Sequence, residues 1–496
     1  MSGQALAFDG SLIDAVRIAL AKNPQLAIAQ TQVDAQQGVL LSEQSRFDPV
    51  VNMGVSNERV NSPVFQSMQK LGMADLRADR LTYSVGMSQA LRSGVLVNPV
   101  LSVSRVNDNQ GNVSSPSAAN VALNITFPLG RGQGESVTTA AERAAASSRD
   151  AAAASQRHAA AVAAAQAVSA YWSYLAATKV VEIEQRSTER ARILLQDAKR
   201  LANLGEVPMA ESRPYELKLL ARQASVSGAE QARSAARQTL ILSMGTGFTD
   251  VALTDSFPLI AELSRLDLAS FEAMFAQLLK NALGNRADLK SAALRIQAAR
   301  ISLEASHDLE KPRTDVNFAV GYNGLVENRG LLGSFRALGE RVPGANISVG
   351  LNYSFPAGQR YANGQMQLLS AQVLSAELEL QALQLQVQAG LRSQSDAVTN
   401  AVRQLGYAEA AVKVAGQLFE AQLKKYRLGM STALDVSLTE DGYTDAQLSM
   451  VNIQRSFALG LIGLRLESGT LIEAEAGSTG SLTRQQLMSL PESSGK

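Results

Sequence analysis

Asn346-Ile347-Ser348-Val349-Gly350-Leu351-Asn352-Tyr353-Ser354-Phe355 alternates without a fault. Successive side chains of an extended strand point to opposite faces. Ile347, Val349, Leu351, Tyr353 and Phe355 therefore share one face, and Asn346, Ser348, Gly350, Asn352 and Ser354 share the other. Asn120 to Phe127 repeats the pattern, with Val121, Leu123, Ile125 and Phe127 opposite Asn120, Ala122, Asn124 and Thr126. Near Phe318–Tyr322, Phe318, Val320 and Tyr322 oppose Ala319 and Gly321; near Val51–Val55, Val51, Met53 and Val55 oppose Asn52 and Gly54.

Period two over about ten residues, apolar against small and polar, is how a strand reads when one face meets lipid and the other water. An antiparallel sheet lying on a soluble core alternates in the same way, so alternation alone leaves both open. The composition weighs on the choice. Aromatics are 5% of the 496 residues and much of the apolar 46% is alanine, so few large side chains remain to cover such a sheet. Four strands cannot close a membrane barrel, whose smallest members have about eight. An open edge in lipid is not tolerated, so several chains would have to pool their strands. The first half also holds alternating stretches at Leu81–Leu91 and Val95–Val106, a hairpin with no counterpart in the second half. It either extends the sheet or lies at a barrel rim.

Outward from the strands, the chain repeats itself. Leu26, Ala29, Val33, Ala35, Leu40 and Pro49 recur 263 positions later as Leu289, Ala292, Ile296, Ala298, Leu303 and Pro312. Leu123-Asn124 and Phe127-Pro128-x-Gly130 recur at an offset of 228 as Leu351-Asn352 and Phe355-Pro356-x-Gly358. Leu194, Leu204-Gly205, Leu240 and Gly245 recur at 224 as Leu418, Leu428-Gly429, Leu464 and Gly469. Each half reads helix, strands, long helix, helix. The first repeat covers 8–245, with strands at 48–128 and a helical hairpin at 135–244. A linker at 246–270 precedes the second repeat at 271–469, with strands at 313–356 and a hairpin at 362–467. The tail 470–496, rich in Ser, Gly, Gln and Glu, reads as disordered.

The stretch from Glu135 to Asn203 holds no proline and contains Ala151–Ala154 and Ala159–Ala165. At 1.5 Å per residue it is on the order of 100 Å long. Helices this long and this polar run beside others like themselves, and alanine at the seam lets their axes approach.

Composition excludes several functions. With 46 basic against 45 acidic residues the net charge is +1, which gives no footing for nucleic acid. No cysteine is present, so disulfides, thiol catalysis and cysteine metal sites are out. The two histidines, His158 and His307, read as solvated helix residues, and neither a metal site nor a cofactor site is expected. No run of about 18 apolar residues offers a membrane helix. Ala5-Leu6-Ala7 fits a small-x-small cleavage site, read either as the end of an export signal or as an ordinary frayed terminus. Gly130-Arg131-Gly132-Gln133-Gly134 lacks the lysine-hydroxyl pair of a phosphate loop and reads as a flexible strand-to-helix junction. No enzymatic activity is expected.

The two-fold repeat resembles the TolC-type outer-membrane efflux family from about Leu12 to Gly469. Asn23-Pro24-x-Leu26 and Asn285-Arg286-x-Asp288-Leu289 are similar to its repeat openings. Asn124 to Gly132 and Asn352 to Gly358 are similar to its strand-to-helix junctions. Tyr426-Arg427-Leu428-Gly429, with Thr432, Asp435-Val436 and the closing Leu464 and Gly469, is similar to its last hairpin. The resemblance implies a mainly α fold with membrane β: long helical hairpins forming a tunnel, and a trimeric 12-stranded β-barrel. It implies an outer-membrane location of Gram-negative type and a passive exit duct for an efflux pump or type I secretion system. The implied partners are two further copies of the chain, a periplasmic adaptor, an inner-membrane pump and outer-membrane lipid.

The resemblance also points to a gate at the periplasmic end. Tyr426 and Asp435 match the family's tyrosine and acid, whereas its arginine falls on Ser431 and a second acid on Leu438. Glu211, the repeat counterpart of Asp435, is an acid that Tyr426 could hydrogen-bond, and Glu440 and Asp441 could replace the missing one. The hairpin tips, Leu204-Gly205-Glu206-Val207 and Leu428-Gly429-Met430-Ser431, are expected to dock the adaptor. The alternative is a soluble periplasmic coiled-coil adaptor or structural protein, although adaptors carry one hairpin and this chain carries two.

Overall fold

A computed structural model describes residues 10–66, 75–108, 116–206, 208–247, 268–327, 336–339 and 345–472. The expectations for Val207, for most of the linker and for nearly all of the tail fall outside these residues. In chain order come α1 (Leu12–Lys22), α2 (Pro24–Gln44), β1 (Val50–Pro63), β2 (Asp75–Ala90), β3 (Leu96–Asp108), β4 (Pro116–Pro128), α3 (Glu135–Thr138), α4 (Ala140–Asn203) and α5 (Arg213–Met244). Then follow α6 (Leu268–Asn285), α7 (Ala287–Ser306), β5 (Arg313–Glu327), β6 (Asn346–Ser354), α8 (Arg360–Arg427) and α9 (Ala433–Glu467). The chain divides into two compact units, one of residues 1–33, 151–293 and 379–496, the other of 34–150 and 294–378.

The second unit holds one antiparallel sheet in the order β1-β2-β3-β4-β5-β6. This corrects the strand count. The resemblance implied four strands from each chain; the sheet has six, because the hairpin special to the first half becomes β2 and β3 and lies between β1 and β4. The pairings of β2 with β1 and of β3 with β4 settle that it extends the sheet, which its alternation alone left open. The glycine-rich junction is also not slack. The Gly132 amide donates to Asp308 Oδ2 at 2.6 Å, Arg131 donates to the carbonyls of Leu309 (2.6 Å) and Lys311 (3.2 Å), and the Gly134 amide donates to the carbonyl of Ser93 at 3.2 Å. Gly132 and Gly134 have φ of 82° and 93°, the region that favours glycine. These glycines serve the turn rather than mobility.

The first unit is helical. Leu12, Ala15, Val16 and Ile18 of α1 pack into a cluster with Val168, Tyr171 and Trp172 of α4, Leu240 and Met244 of α5, and Ile462 of α9. Ser11 caps α1 by accepting from the Asp14 amide at 3.2 Å. Tyr171 and Trp172 meet edge to face at 5.8 Å, and the Tyr171 hydroxyl donates to the Gly10 carbonyl at 2.8 Å. A second cluster joins Leu278 of α6 to Leu391, Val398 and Leu405 of α8 and Phe457, Leu461 and Leu464 of α9. The many buried alanines of α4 allow this close helix packing.

The duplication is visible atom by atom. The Asn23 side-chain amide donates to the Ser243 carbonyl at 3.0 Å; its repeat mate Arg286 donates to the Glu467 carbonyl at 3.2 Å, and Ser243 and Glu467 are themselves repeat mates. α5 ends at Gly245 (φ 67°) and α9 just before Gly469 (φ 70°), with matching reverse-turn bonds from Thr246 to Ile241 and from Thr470 to Arg465. His158 differs from the expectation of a solvated residue. It is half-buried, 3.8 Å from Asp288, and burial holds its pKa down. His307 is solvated as expected.

Candidate functional site

The sheet sorts its side chains by face. Met53, Val85, Leu101, Val121 and Tyr322 form one cross-strand row of the apolar face, and Val55, Tyr83, Val103 and Ala119 form the next. Leu123, Val320 and Ile347, then Ile125, Phe318 and Val349, continue it to β6. In β4 the apolar positions run from Ala119 to Phe127, about 27 Å along the strand, or roughly 20 Å in height at the tilt of a membrane barrel. Tyr83 and Tyr322 sit towards one end; Phe127, Tyr353 and Phe355 sit at the other, the last two with ring centroids 5.9 Å apart. A short turn at 336–339 sets Ala337 against Val103 and Ala119 near the first end.

The opposite face is mostly small and polar. Gly54, Ser84, Ser102, Asn120 and Asn323 form one row. Asn120 donates to Asn323 Oδ1 at 2.6 Å and Thr126 donates to Asn317 Oδ1 at 2.8 Å, across the strand pair that joins the two repeats. From the row of Asp315 at one end to the rows of Glu58 and Arg80 at the other, no charged residue interrupts this face among the described pairs.

The helix tips share one geometry. Gly205 (φ 78°) and Gly429 (φ 73°) end α4 and α8 with the same pair of bonds, Gly205 to Ala202 and Glu206 to Leu201, Gly429 to Tyr426 and Met430 to Lys425. Leu204, Leu428 and Met430 are exposed, each by two thirds or more. After the second tip, Thr432 caps α9 by a reciprocal box: the Asp435 amide donates to Thr432 Oγ1 at 3.2 Å, and the Thr432 amide and hydroxyl donate to Asp435 Oδ2 at 3.1 and 2.7 Å. Ser431 adds a third bond to the same oxygen at 3.2 Å. Bonds from the Thr432 side chain, then its backbone, then Ser431 hold the Asp435 carboxyl below the usual carboxylate range.

Tyr426 and Glu211 are not hydrogen-bonded to each other. Both instead lie near Tyr215 of α5, whose phenol pKa is raised first by burial and then by Tyr426, Glu211 and Asp435. Tyr426 is raised by burial and by Asp197. Glu440 and Asp441 belong to a different assembly. Glu440 is 1% exposed and accepts at Oε1 from Arg190 (3.0 and 2.9 Å), Ser187 (2.8 Å) and Thr444 (2.8 Å). Asp441 is paired with Arg222 and Lys218, and Arg222 lies 3.5 Å from Glu184. The Arg190 guanidinium also stands 5.8 Å from the ring centroids of Phe419 and Tyr443, which stack at 6.0 Å. These residues join α4, α5, α8 and α9. Glu440 is therefore set in the helix packing, away from any open surface.

No protein-family model matches the sequence, and no curated protein matches it. Solved structures do. The outer-membrane channel OprN matches with a TM-score of 0.68 at 15% identity, over 92% of this chain and 90% of that one. The Campylobacter jejuni CmeC outer membrane channel matches with 0.64 at 14%, over 98% and 91%. The outer membrane protein VceC of Vibrio cholerae matches with 0.63 at 16%, over 92% and 96%. The fold is that of the TolC-type outer-membrane channels.

Within this TolC-type fold, sequence reading missed Tyr215 and the Arg190–Arg222 lock. Tyr215 stands four positions after Glu211, where a 3-10 turn (Met209–Ser212) runs into α5, a spacing that could have found it. The lock left no such signal, because its charges come from three separate helices. Among the described residues, no group of three or more His, Asp or Glu is set to hold a metal ion, and no helix is long and apolar enough to cross a membrane.

Proposed function

We propose that the chain is one protomer of a trimeric outer-membrane channel-tunnel. The channel is a passive exit duct across periplasm and outer membrane, used by an efflux pump or a type I secretion system. The observation that carries the reading is the sheet: an apolar face of membrane height, an uncharged polar face, and two edge strands that no described part of the chain pairs with. Lipid meets the first face and water fills the space inside the second. The likeness to outer-membrane channels supports the same reading. So does α8, where Tyr407, Val414 and Leu418, spaced by seven and four positions, stay exposed in the single chain as a helix–helix seam does.

A duct of this kind supplies no energy. A pump and an adaptor must drive and open it, with the tips around Gly205 and Gly429 as the docking points. The gate is formed by Tyr215, Tyr426, Glu211 and Asp435 of neighbouring copies, and opening has to outweigh bonds of about 1 kcal/mol each. The soluble adaptor reading is not favoured, since each of the two hairpins follows its own strands. The test is mass in detergent together with conductance in a planar bilayer and rescue of efflux in a channel-deleted strain. A trimer that conducts when its tips are unlocked is expected. A monomer soluble without detergent would overturn the proposal.

A further inference from the structure

The two strands special to the first repeat bear on the bore of the channel. β1 pairs with β2 from Val50–Ser88 to Pro63–Asp75, and β3 pairs with β4 from Leu96–Thr126 to Arg105–Ser117. β1 and β4 are separated by the whole hairpin. A hairpin laid at a rim has no need of faces in register with the strands beside it. This one has them: Val85 and Leu101 bridge Met53 to Val121 on the apolar face, and Ser84 and Ser102 bridge Gly54 to Asn120 on the polar face. A shift of one residue would have reversed every side chain.

The hairpin's turn is built into the base of the sheet. The Gly94 amide donates to the Leu91 carbonyl at 2.8 Å, the Thr138 hydroxyl donates to the Arg92 carbonyl, and Arg92 pairs with Glu142 at 3.0 Å. Gly94 has φ 94°, and a Cβ there would collide with the Gly132 carbonyl oxygen. The turn thus fits only against the start of the helical segment that leaves the sheet.

From this geometry we propose that each chain gives six strands and that three copies close an eighteen-stranded barrel, β6 of one copy pairing with β1 of the next. The proposal rests on the trimeric channel reading above. All five pairings within the sheet are antiparallel, so β1 and β6 run in opposite directions and their union is antiparallel as well. With strands about 4.8 Å apart and tilted about 40°, eighteen strands give a backbone diameter of about 36 Å, against about 24 Å for twelve. Side chains on the polar face leave roughly 25 Å in the wider barrel and roughly 14 Å in the narrower. A single helix, about 10–12 Å across, passes both; a helical hairpin passes only the wider. The rows between Asp315 and Arg80 add no charge of either sign. The barrel therefore suits bulky or partly structured polymer cargo, such as a polypeptide exported with secondary structure, and does not sort it by charge.

The chain lacks cysteine, so single cysteines report directly. Ser84→Cys and Ser102→Cys, against Val85→Cys and Leu101→Cys, are to be placed in the full chain in phosphatidylcholine vesicles and treated with a charged, membrane-impermeant maleimide. Ser348→Cys and Val349→Cys on β6 serve as controls. Eighteen strands require labelling at 84, 102 and 348 and protection at 85, 101 and 349 until detergent is added. Labelling at all four hairpin positions with 349 protected puts the hairpin outside the membrane and overturns the proposal, as does protection at 84 and 102. Equal labelling at 348 and 349 overturns the membrane channel reading itself, which separates the two failures. A variant that joins β1 to β4 by a short turn should exclude polyethylene glycols that enter the wild-type barrel from its outer side. An unchanged cut-off in an assembled variant also overturns the proposal.

Discussion

Arg190 donates to Glu440 Oε1 through both Nε and Nη2, at 3.0 and 2.9 Å, inside the packing of four helices. A carboxylate at 1% exposure is held there only by its partners. Removing one member of a buried pair leaves the other charged and unsatisfied, at about 3–5 kcal/mol. Arg190→Met is therefore expected to loosen α4 against α9, read as faster amide exchange around Ser187 and Thr444. Arg190→Met with Glu440→Leu should recover most of the loss. Equal exchange in the single and double variants would show that the pair does not act as a unit.

A Cβ added at Gly205 or Gly429 would meet nothing within 4 Å, so any penalty for substitution lies in the backbone alone. Asparagine tolerates positive φ and valine does not. Gly205→Asn with Gly429→Asn should retain efflux, and the double valine variant should lose it while still forming trimers. Full efflux in the valine variant would remove the tips from adaptor docking.

The Tyr426 hydroxyl has no hydrogen-bond partner among the described residues of its own chain. Tyr426→Phe should leave the stability of the helices unchanged and raise resting bilayer conductance, because in the proposed trimer its hydroxyl bonds a neighbouring copy. Tyr215→Phe should act in the same direction. Resting conductance equal to wild type in both variants would place the gate elsewhere.

The Asp435 carboxyl titrates below its ordinary range because it caps α9. A depressed carboxylate contributes stability above its unfolded pKa and loses it as pH falls through the folded pKa. The first turn of α9 should therefore fray on acidification within the acidic range, seen as loss of protection at Val436 and Ser437. Asp435→Asn should fray at neutral pH and show no such pH step. A pH step that survives in the asparagine variant would assign it to another group.

Val121 and Ala122 are neighbours in sequence on opposite faces of β4. Arginine on a lipid face near the bilayer midplane costs about 2–4 kcal/mol, and on a lumen face little. Val121→Arg should block assembly into the outer membrane, and Ala122→Arg should assemble and shift ion selectivity toward anions. The reverse outcome would turn the sheet inside out.

Much of this arrangement is legible in the amino-acid sequence. The alternation from Asn346 to Phe355 fixed the faces of β6, and the offsets of 263, 228 and 224 fixed the duplication, because each depends on local period or on spacing along the chain. The place of β2 and β3 could not be read, since alternation states which face a residue takes and never which strand lies beside it. The proposed gate draws on residues that were legible only in part. Tyr426, Glu211 and Asp435 stood out by position, but the Asp435 carboxylate turned inward to its own cap, and Glu440 was drawn into the packing by Arg190, 250 positions away.

The two sheet edges, which no described strand pairs with, bear on how the proposed channel reaches the membrane. A lone chain that folded in water would present β1 and β6 as ready templates for any extended segment, together with a broad apolar face. If the chain assembles as proposed, it has to be escorted in an unstructured state and to meet its sisters at the bilayer, because folding before assembly ends in insoluble aggregates. Raising its synthesis faster than escort capacity should yield inclusion bodies in place of more channels.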